Sequence, residues 1–412
     1  MAQSSTSFTR VFEPSRRGHR PSRLFAGVIG AALAGAAWLP GAASAEIRIG
    51  FMAELSGPQG PLGQDQYDAL MMVVERNGGK LGGQPVTVLR EDSQLKPPVA
   101  VQIVDKFIDK EKVQIITGVT FSNIMMAVHK QITDKKVFLI GSNAGPSPIA
   151  GDKCSPYFFS TSWENGQQAE VVGKYAADKG YKKIVTIAPN YQAGKDFVAG
   201  FKRRFGGATS LELWPALNTQ DFSAELAQIA AASPDAIFSF LPGGLGINFV
   251  KQFNQAGMMG KVPLLTASTA DGIGLPAMGD AALGMIAGTF WGPDTKGKAN
   301  AEFVEAFEKK FNRIPSQYAA QSYEAALLLD SAIARVNGKV DDHEAFRKAL
   351  QAADYDSIRG KKLVFNNNQF PIQDFHVFEV VKDAKGRHNL KTIATPMVDA
   401  QDVYHDKCPM TK

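Results

Sequence analysis

The stretch Ile116 to Asn123, ITGVTFSN, leads an apolar run through a glycine into Ser122 and Asn123, two residue types that start helices. A helix start leaves backbone N–H groups without intrahelical acceptors and carries partial positive charge, so such a corner can hold an anion. The same residues also suffice to cap the helix NIMMAVHKQITDKK, and the local sequence alone leaves both roles open. Further stretches share this composition. They are Ser56-Gly57-Pro58 with Gly63, GSNAGPSP from Gly141 to Pro148, APNYQAGKD from Ala188 to Asp196, LPGG from Leu241, TASTADG from Thr266 and TFWGPD from Thr289. Gly, Ser, Thr and Asn supply N–H and hydroxyl donors, while Phe121, Tyr191, Phe290 and Trp291 could wall an organic ligand or simply pack in the core.

Signatures of bond-making chemistry do not accompany these corners. The chain contains no GxxxxGK[ST], HExxH, CxxC or GxSxG, and the near-miss GSNAG puts Asn143 where a nucleophile would stand. The histidines at 19, 129, 343, 376, 388 and 405 show no ligand-like spacing, so no metal or cofactor is implied. Asp271 and Asp294 could be read as paired carboxylates, but nothing in the sequence brings them together. The chain reads as a binder rather than an enzyme.

The elements that would carry the corners alternate. EIRIGFM, PVTVLRED, VQIITG and VFLIGSN are strand-like, and the helices between them begin with DQYDALMMVVERN, then run from about Pro98 to Lys110 and up to about Lys135. After the aromatic stretch YFFSTSW the alternation restarts with the helix NGQQAEVVGKYAADKG, the strand KKIVTIAP and a helix from about Lys195 to Phe205. LELWPAL, AIFSFL, VPLLTAS and GMIAGTFWG continue it as strands. Helices are expected at about Ala299–Asn312 and Gln317–Val336, and a hairpin pairs DFHVFEV with LKTIAT. This is the α/β class: two doubly wound parallel-sheet units in one chain, with ligands expected beyond the carboxyl ends of the strands.

Composition sets the compartment. Arg10, Arg16, Arg17, Arg20 and Arg23 precede the apolar run LFAGVIGAALAGAAWL and the small-residue site Ala43-Ser44-Ala45, the plan of a secretory signal cleaved before Glu46. Without residues 1–45 the 45 basic and 40 acidic residues become 40 and 39, so the basic character belonged to the export signal. Nothing left suggests a nucleic-acid partner or a membrane span, and no cysteine offers a lipid attachment site. Cys154 and Cys408 are expected to form a disulfide in an oxidising compartment, the periplasm.

IRIGFMAELSGPQGPLGQ, ERNGGKLGGQPVTVLRED, IITGVTFSN, YQAGKDF, YAAQSYEAALLL and DFHVFEVVKDAKG, in this order and spacing, resemble the leucine/isoleucine/valine-binding-protein family, the type I periplasmic solute-binding proteins of ABC importers. The resemblance implies two lobes joined by three crossovers: 46–162 with 292–354, and 163–291 with 355–412. It also implies a ligand enclosed between them, hinge closure, a monomer and an ABC permease as partner.

Its carboxylate corners correspond here to Ser122 in TFSN and to Ala144 and Gly145 in GSNAGP, with Phe121 and Asn143 beside them as further ligand-binding candidates. Its second-lobe corner corresponds to Tyr191, with Ala193 where a second aromatic is usual. Where amino-acid binders place an acidic residue for the ammonium group, this chain has Ser268 and Thr269, with Asp271 displaced. An unpaired buried ammonium is costly. The resemblance therefore favours an aromatic or other hydrophobic carboxylate, with Trp291 as a further wall. A branched-chain amino acid or amide, or a role in signalling to a membrane receptor, are the alternatives.

Overall fold

The computed structural model describes residues 46–410, and the expected export signal lies outside them. β1 (Ile47–Ala53), β2 (Lys80–Leu81), β3 (Gln84–Asp92), β4 (Ile115–Gly118), β5 (Phe138–Gly141) and β6 (Phe158–Ser160) form one sheet in the order β2-β3-β1-β4-β5-β6. All its pairs are parallel except the β2-β3 hairpin, with Phe51 opposite Thr117 and Gly118 opposite Gly141.

The second sheet contains β7 (Ile184–Ile187), β8 (Thr209–Leu213), β9 (Ala236–Phe240), β10 (Leu264–Ala267), β11 (Ile286–Thr289), β12 (Val364–Phe365), β13 (Pro371–Lys382) and β14 (His388–Ala400). Its order is β12-β13-β11-β10-β9-β7-β8, with β14 paired to β13. β13 runs antiparallel to β11, β12 and β14, and the other pairs are parallel. The chain is thus α/β with parallel-dominated mixed sheets.

The central parallel strands β4, β5, β7, β9 and β10 are buried along their whole length, as strands covered by helices on both faces must be. Successive residues separate cleanly. Phe51, Ile115 and Ile140 pack with Leu70 and Leu329 on one face, while Met52, Ile116 and Leu139 pack with Val104, Ile124 and Val128 on the other. In the second sheet Ile184 and Phe238 face one way and Val185 and Ile237 the other. A period of two in a continuous apolar run is what a strand buried on both sides requires.

The chain passes between the sheets after β6, after β11 and before β12. Helix Gln317–Arg335, reached by the second passage, packs on helix Gly60–Arg76 of the first sheet. Buried Arg359 gathers the three passages. It donates to the Thr161 carbonyl and to Gln373 Oε1, lies 4.5 Å from the Phe290 ring centre, and has Nε 3.5 Å from Glu324 Oε2. Glu324 also accepts from Tyr355, Ser357 and the Ile358 amide. Cys154 and Cys408 form the disulfide, with Cα atoms 5.7 Å apart, tying the C-terminal tail to the segment after β5.

Several boundaries differ from expectation. The aromatic stretch after Tyr157 contributes β6, a short strand whose Phe-Phe-Ser sequence carries too little pattern to stand out. The helix expected from Lys195 begins at Gln192, and the closing hairpin is far longer than its apolar centre. Helix His343–Ala352 had no counterpart in the sequence reading. Phe121, not Ser122 or Asn123, holds the N-cap position of helix Ser122–Asp134, and no side chain caps that helix.

Candidate functional site

The first sheet reverses direction of build between β1 and β4, the second between β7 and β9, and the loops at these carboxyl ends face one cavity. The cavity spans about 320 Å³ of space not filled by atoms, part of it open to solvent. Thr120, Phe121 and Ser122 reach it after β4, Asn143 and Ala144 after β5, and Trp163 and Asn165 after β6. From the second sheet come Tyr191 and Ala193 after β7, Phe240 and Pro242 at the end of β9, and Ser268 after β10. Leu62, Phe197 and Tyr318 complete the wall.

Local backbone geometry brings these corners together. Gly118 has φ +100°, and a Cβ there would lie 2.4 Å from the Met52 carbonyl oxygen. Val119 follows with φ +62°, a strained conformation for a β-branched residue, and its amide donates to the same carbonyl at 2.7 Å. Its own carbonyl accepts from the Ala144 amide at 3.2 Å, locking the β4 and β5 corners to each other. At Gly145 a Cβ would sit 1.8 Å from the Trp163 carbonyl oxygen, so only glycine allows the third corner to close on the second.

The electrostatics suit an anion. Leu62, Ser122, Asn165, Ala193 and Tyr318 each lie in the first turn of a helix, so five helix N-termini border one space, those at Asn165 and Tyr318 with amides already given to Glu164 and Ser316. Among the described residues, none with a charged side chain lines it. Glu54, Glu164 and Asp196 lie outside the lining, and burial raises the pKa of each.

Hydrogen bonds determine which donors remain free. Ser122 Oγ accepts from Asn165 Nδ2 at 3.0 Å, so its own proton is available to the cavity. The Gly145 amide is already given to Asn165 Oδ1 at 3.2 Å. Ser268 is committed, donating to Gln168 at 2.6 Å and accepting from Gln317 at 3.0 Å. Two buried atoms in the lining have no partner among the described residues: the donor Trp163 Nε1 and the acceptor Asn143 Oδ1. A buried unpaired polar atom is expensive, and a ligand is one thing that would satisfy it.

Aromatic rings form the remaining wall. Phe121 and Tyr191 have ring centres 6.2 Å apart, Tyr191 and Phe240 are stacked at 6.3 Å, and Phe240 stacks on Phe197 at 3.7 Å. Such a wall offers flat apolar faces to a flat ligand.

Of the residues singled out in the sequence, Phe121, Ser122, Asn143, Ala144 and Tyr191 come together around the cavity. Others lie elsewhere, among them Phe290, whose ring centre is 5.4 Å from that of Trp163. Gly145 is behind the lining, Thr269 Oγ1 accepts from the Leu241 amide at 3.0 Å, and Trp291 donates to Asn300 at 2.7 Å while packing on Phe303. Asp271 accepts from the Ile273 and Gly274 amides, each at 2.8 Å, and Asp294 accepts from Thr392. Asn165, Trp163, Phe240 and Tyr318 were not anticipated. Asn165 opens the helix NGQQAEVVGKYAADKG, and its position in a first turn was the signal that could have found it.

The comparisons accord with this geometry. The family model described as periplasmic binding protein matches residues 46–386. The chain belongs to this family of solute-binding proteins, whose members bind small molecules and deliver them to ABC permeases. It is 27% identical over 359 residues to Leu/Ile/Val-binding protein homolog 6 of Brucella melitensis biotype 1, covering 85% of this chain and 91% of the relative. It also resembles a solute-binding protein of an R. palustris ABC transporter in complex with benzoate, with 29% identity and a TM-score of 0.79 over 86% of this chain and 99% of that one. A second, from Rhodopseudomonas palustris BisB5 in complex with 3,4-dihydroxybenzoic acid, shows 28% identity and a TM-score of 0.79, covering 86% and 98%. Family and neighbours are solute-binding proteins, not enzymes. Among the described residues no helix is long and apolar enough to cross a membrane, and no cluster of three metal-ligating side chains occurs.

Proposed function

We propose that this protein captures an aromatic carboxylate and hands it to an ABC importer. The observation that carries this reading is the cavity itself, a small, uncharged, aromatic-walled space ringed by five helix N-termini. A carboxylate would meet the Ser122 hydroxyl, the Trp163 indole N–H and the positive helix ends, while a single ring would lie against Phe121, Tyr191 and Phe240. The structural neighbours bound to benzoate and 3,4-dihydroxybenzoic acid support the same class. An α-amino acid fits less well, since its ammonium group would find no carboxylate in the lining and its desolvation would go uncompensated.

In this reading 46–162 with 292–354 form one lobe and 163–291 with 355–412 the other, closing as a monomer about the passages gathered by Arg359. The protein acts in the periplasm after loss of residues 1–45. Calorimetry of the mature protein with benzoate, 4-hydroxybenzoate, leucine and valine tests the assignment. Binding of the aromatic acids alone is expected, and binding of the amino acids alone would refute it. A ligand-sensing role beside a membrane receptor would instead show as ligand-dependent association with that receptor and none with a permease.

A further inference from the structure

One side chain links the ligand cavity to a clamp across the cleft. Asn165 opens helix Asn165–Asp178, which packs on the second sheet, whereas Ser122 and Ser147 follow β4 and β5 of the first. Asn165 Nδ2 donates one hydrogen to Ser122 Oγ at 3.0 Å and the other to Asp196 Oδ2 at 2.8 Å. Asp196, on helix Gln192–Phe205, also accepts from Ser147 Oγ at 2.7 Å, from the Ser147 amide at 3.2 Å and from Gln192 at 2.8 Å. Both carboxylate oxygens are therefore filled, and two of the four bonds come from Ser147, on the opposite side of the cleft.

We propose that Asn165 is a positioning residue that makes contact with the ligand's carboxylate and closure of the cleft one event, through the chain Ser122–Asn165–Asp196–Ser147. By occupying a lone pair of Ser122 Oγ, its amide leaves the Ser122 proton to be donated toward the ligand. By holding Asp196 with its other hydrogen, it fixes the acceptor on which Ser147 lands. Asp196 is only 5% exposed, so opening the cleft strips two bonds from a nearly buried carboxylate. Ser147 lies outside the cavity lining, which separates the clamp from ligand contact.

The inference rests on the two-lobe reading above, and its test has an arm that needs no ligand. Small-angle X-ray scattering of the mature protein is measured for wild type, Ser147→Ala and Asn165→Ala, without ligand and with benzoate. Affinities for benzoate and benzamide are measured alongside. Ser147→Ala is expected to give a larger ligand-free radius of gyration and about tenfold weaker benzoate binding, with the preference for benzoate over benzamide kept. Asn165→Ala is expected to lose that preference by about tenfold or more. Should Asn165→Ala not fold, Asp196→Asn replaces it, with expansion expected and an unchanged radius contradicting the latch. A Ser147→Ala protein as compact and as tight-binding as wild type would overturn the proposal, as would an Asn165→Ala protein with the wild-type preference. If wild type binds no aromatic acid, the ligand assignment fails on its own and the ligand-free radii still decide the latch.

Discussion

Ser122 Oγ stands 3.0 Å from Asn165 Nδ2 and accepts its hydrogen bond, so the serine at the start of helix Ser122–Asp134 is turned to the cavity side rather than capping its own helix. Ser122→Ala removes the proton proposed to reach the ligand and leaves one Asn165 hydrogen unmatched. Carboxylate affinity is expected to fall by about 1–3 kcal/mol, as for other hydrogen bonds to charged groups. Calorimetry with benzoate checks this, and an unchanged affinity would remove Ser122 from the site.

Ala193 lies in the first turn of helix Gln192–Phe205, 4% exposed and facing the cavity. Ala193→Phe would fill the space that the ring of the proposed aromatic ligand would take. Overpacking typically costs about 1–3 kcal/mol, so aromatic-acid affinity should drop roughly 5- to 150-fold while the fold persists. Equal affinities in wild type and variant, measured by the same titration, would place the ring elsewhere.

Burial pushes the Asp271 carboxyl up to about 7, although the Ile273 and Gly274 amides donate to it. Its folded pKa exceeds the unfolded value, so between about pH 4 and 7 the native state holds a proton that the unfolded chain has released. This contribution is complete at the acid end and is lost as pH rises through 7. Asp271→Asn keeps an acceptor for both amides and cannot ionise. It should match wild type near pH 4 and exceed it in stability by roughly 2–4 kcal/mol at pH 8. Parallel urea denaturation curves at the two pH values read the difference, and a constant gap would contradict the assignment.

The disulfide joins residues 254 apart in sequence. Closing so long a loop restricts the unfolded chain, and removing such a bond typically costs about 2–5 kcal/mol. Cys154→Ser paired with Cys408→Ser should lower the denaturation midpoint and free the C-terminal tail to proteolysis. Because neither cysteine lines the cavity, ligand affinity of the folded variant should stay near that of wild type.

The sheets were legible because their central strands are mostly apolar runs set between amphipathic helices, as in IRIGFMA and AIFSF. β6 and helix His343–Ala352 escaped notice because three residues, or one short polar-rich helix, carry little periodic signal. Corner composition pointed toward the cavity for Phe121, Ser122, Asn143, Ala144 and Tyr191. It could not separate these from Trp291, whose indole is taken by Asn300 nine residues on, or from Thr269, which serves the Leu241 amide. Asn165 matters through Gly145 and Ser122, 20 and 43 positions away in sequence, and a single chain read in order does not display such pairings.

The central claim is that five helix N-termini and an uncharged aromatic wall select a carboxylate without an ammonium group. Titration calorimetry of the mature protein with benzoate, benzamide and phenylalanine tests it most directly, because the three share a ring and differ in charge. The account predicts saturable binding of benzoate, at least tenfold weaker binding of benzamide and none of phenylalanine. Tighter binding of phenylalanine than of benzoate would contradict it.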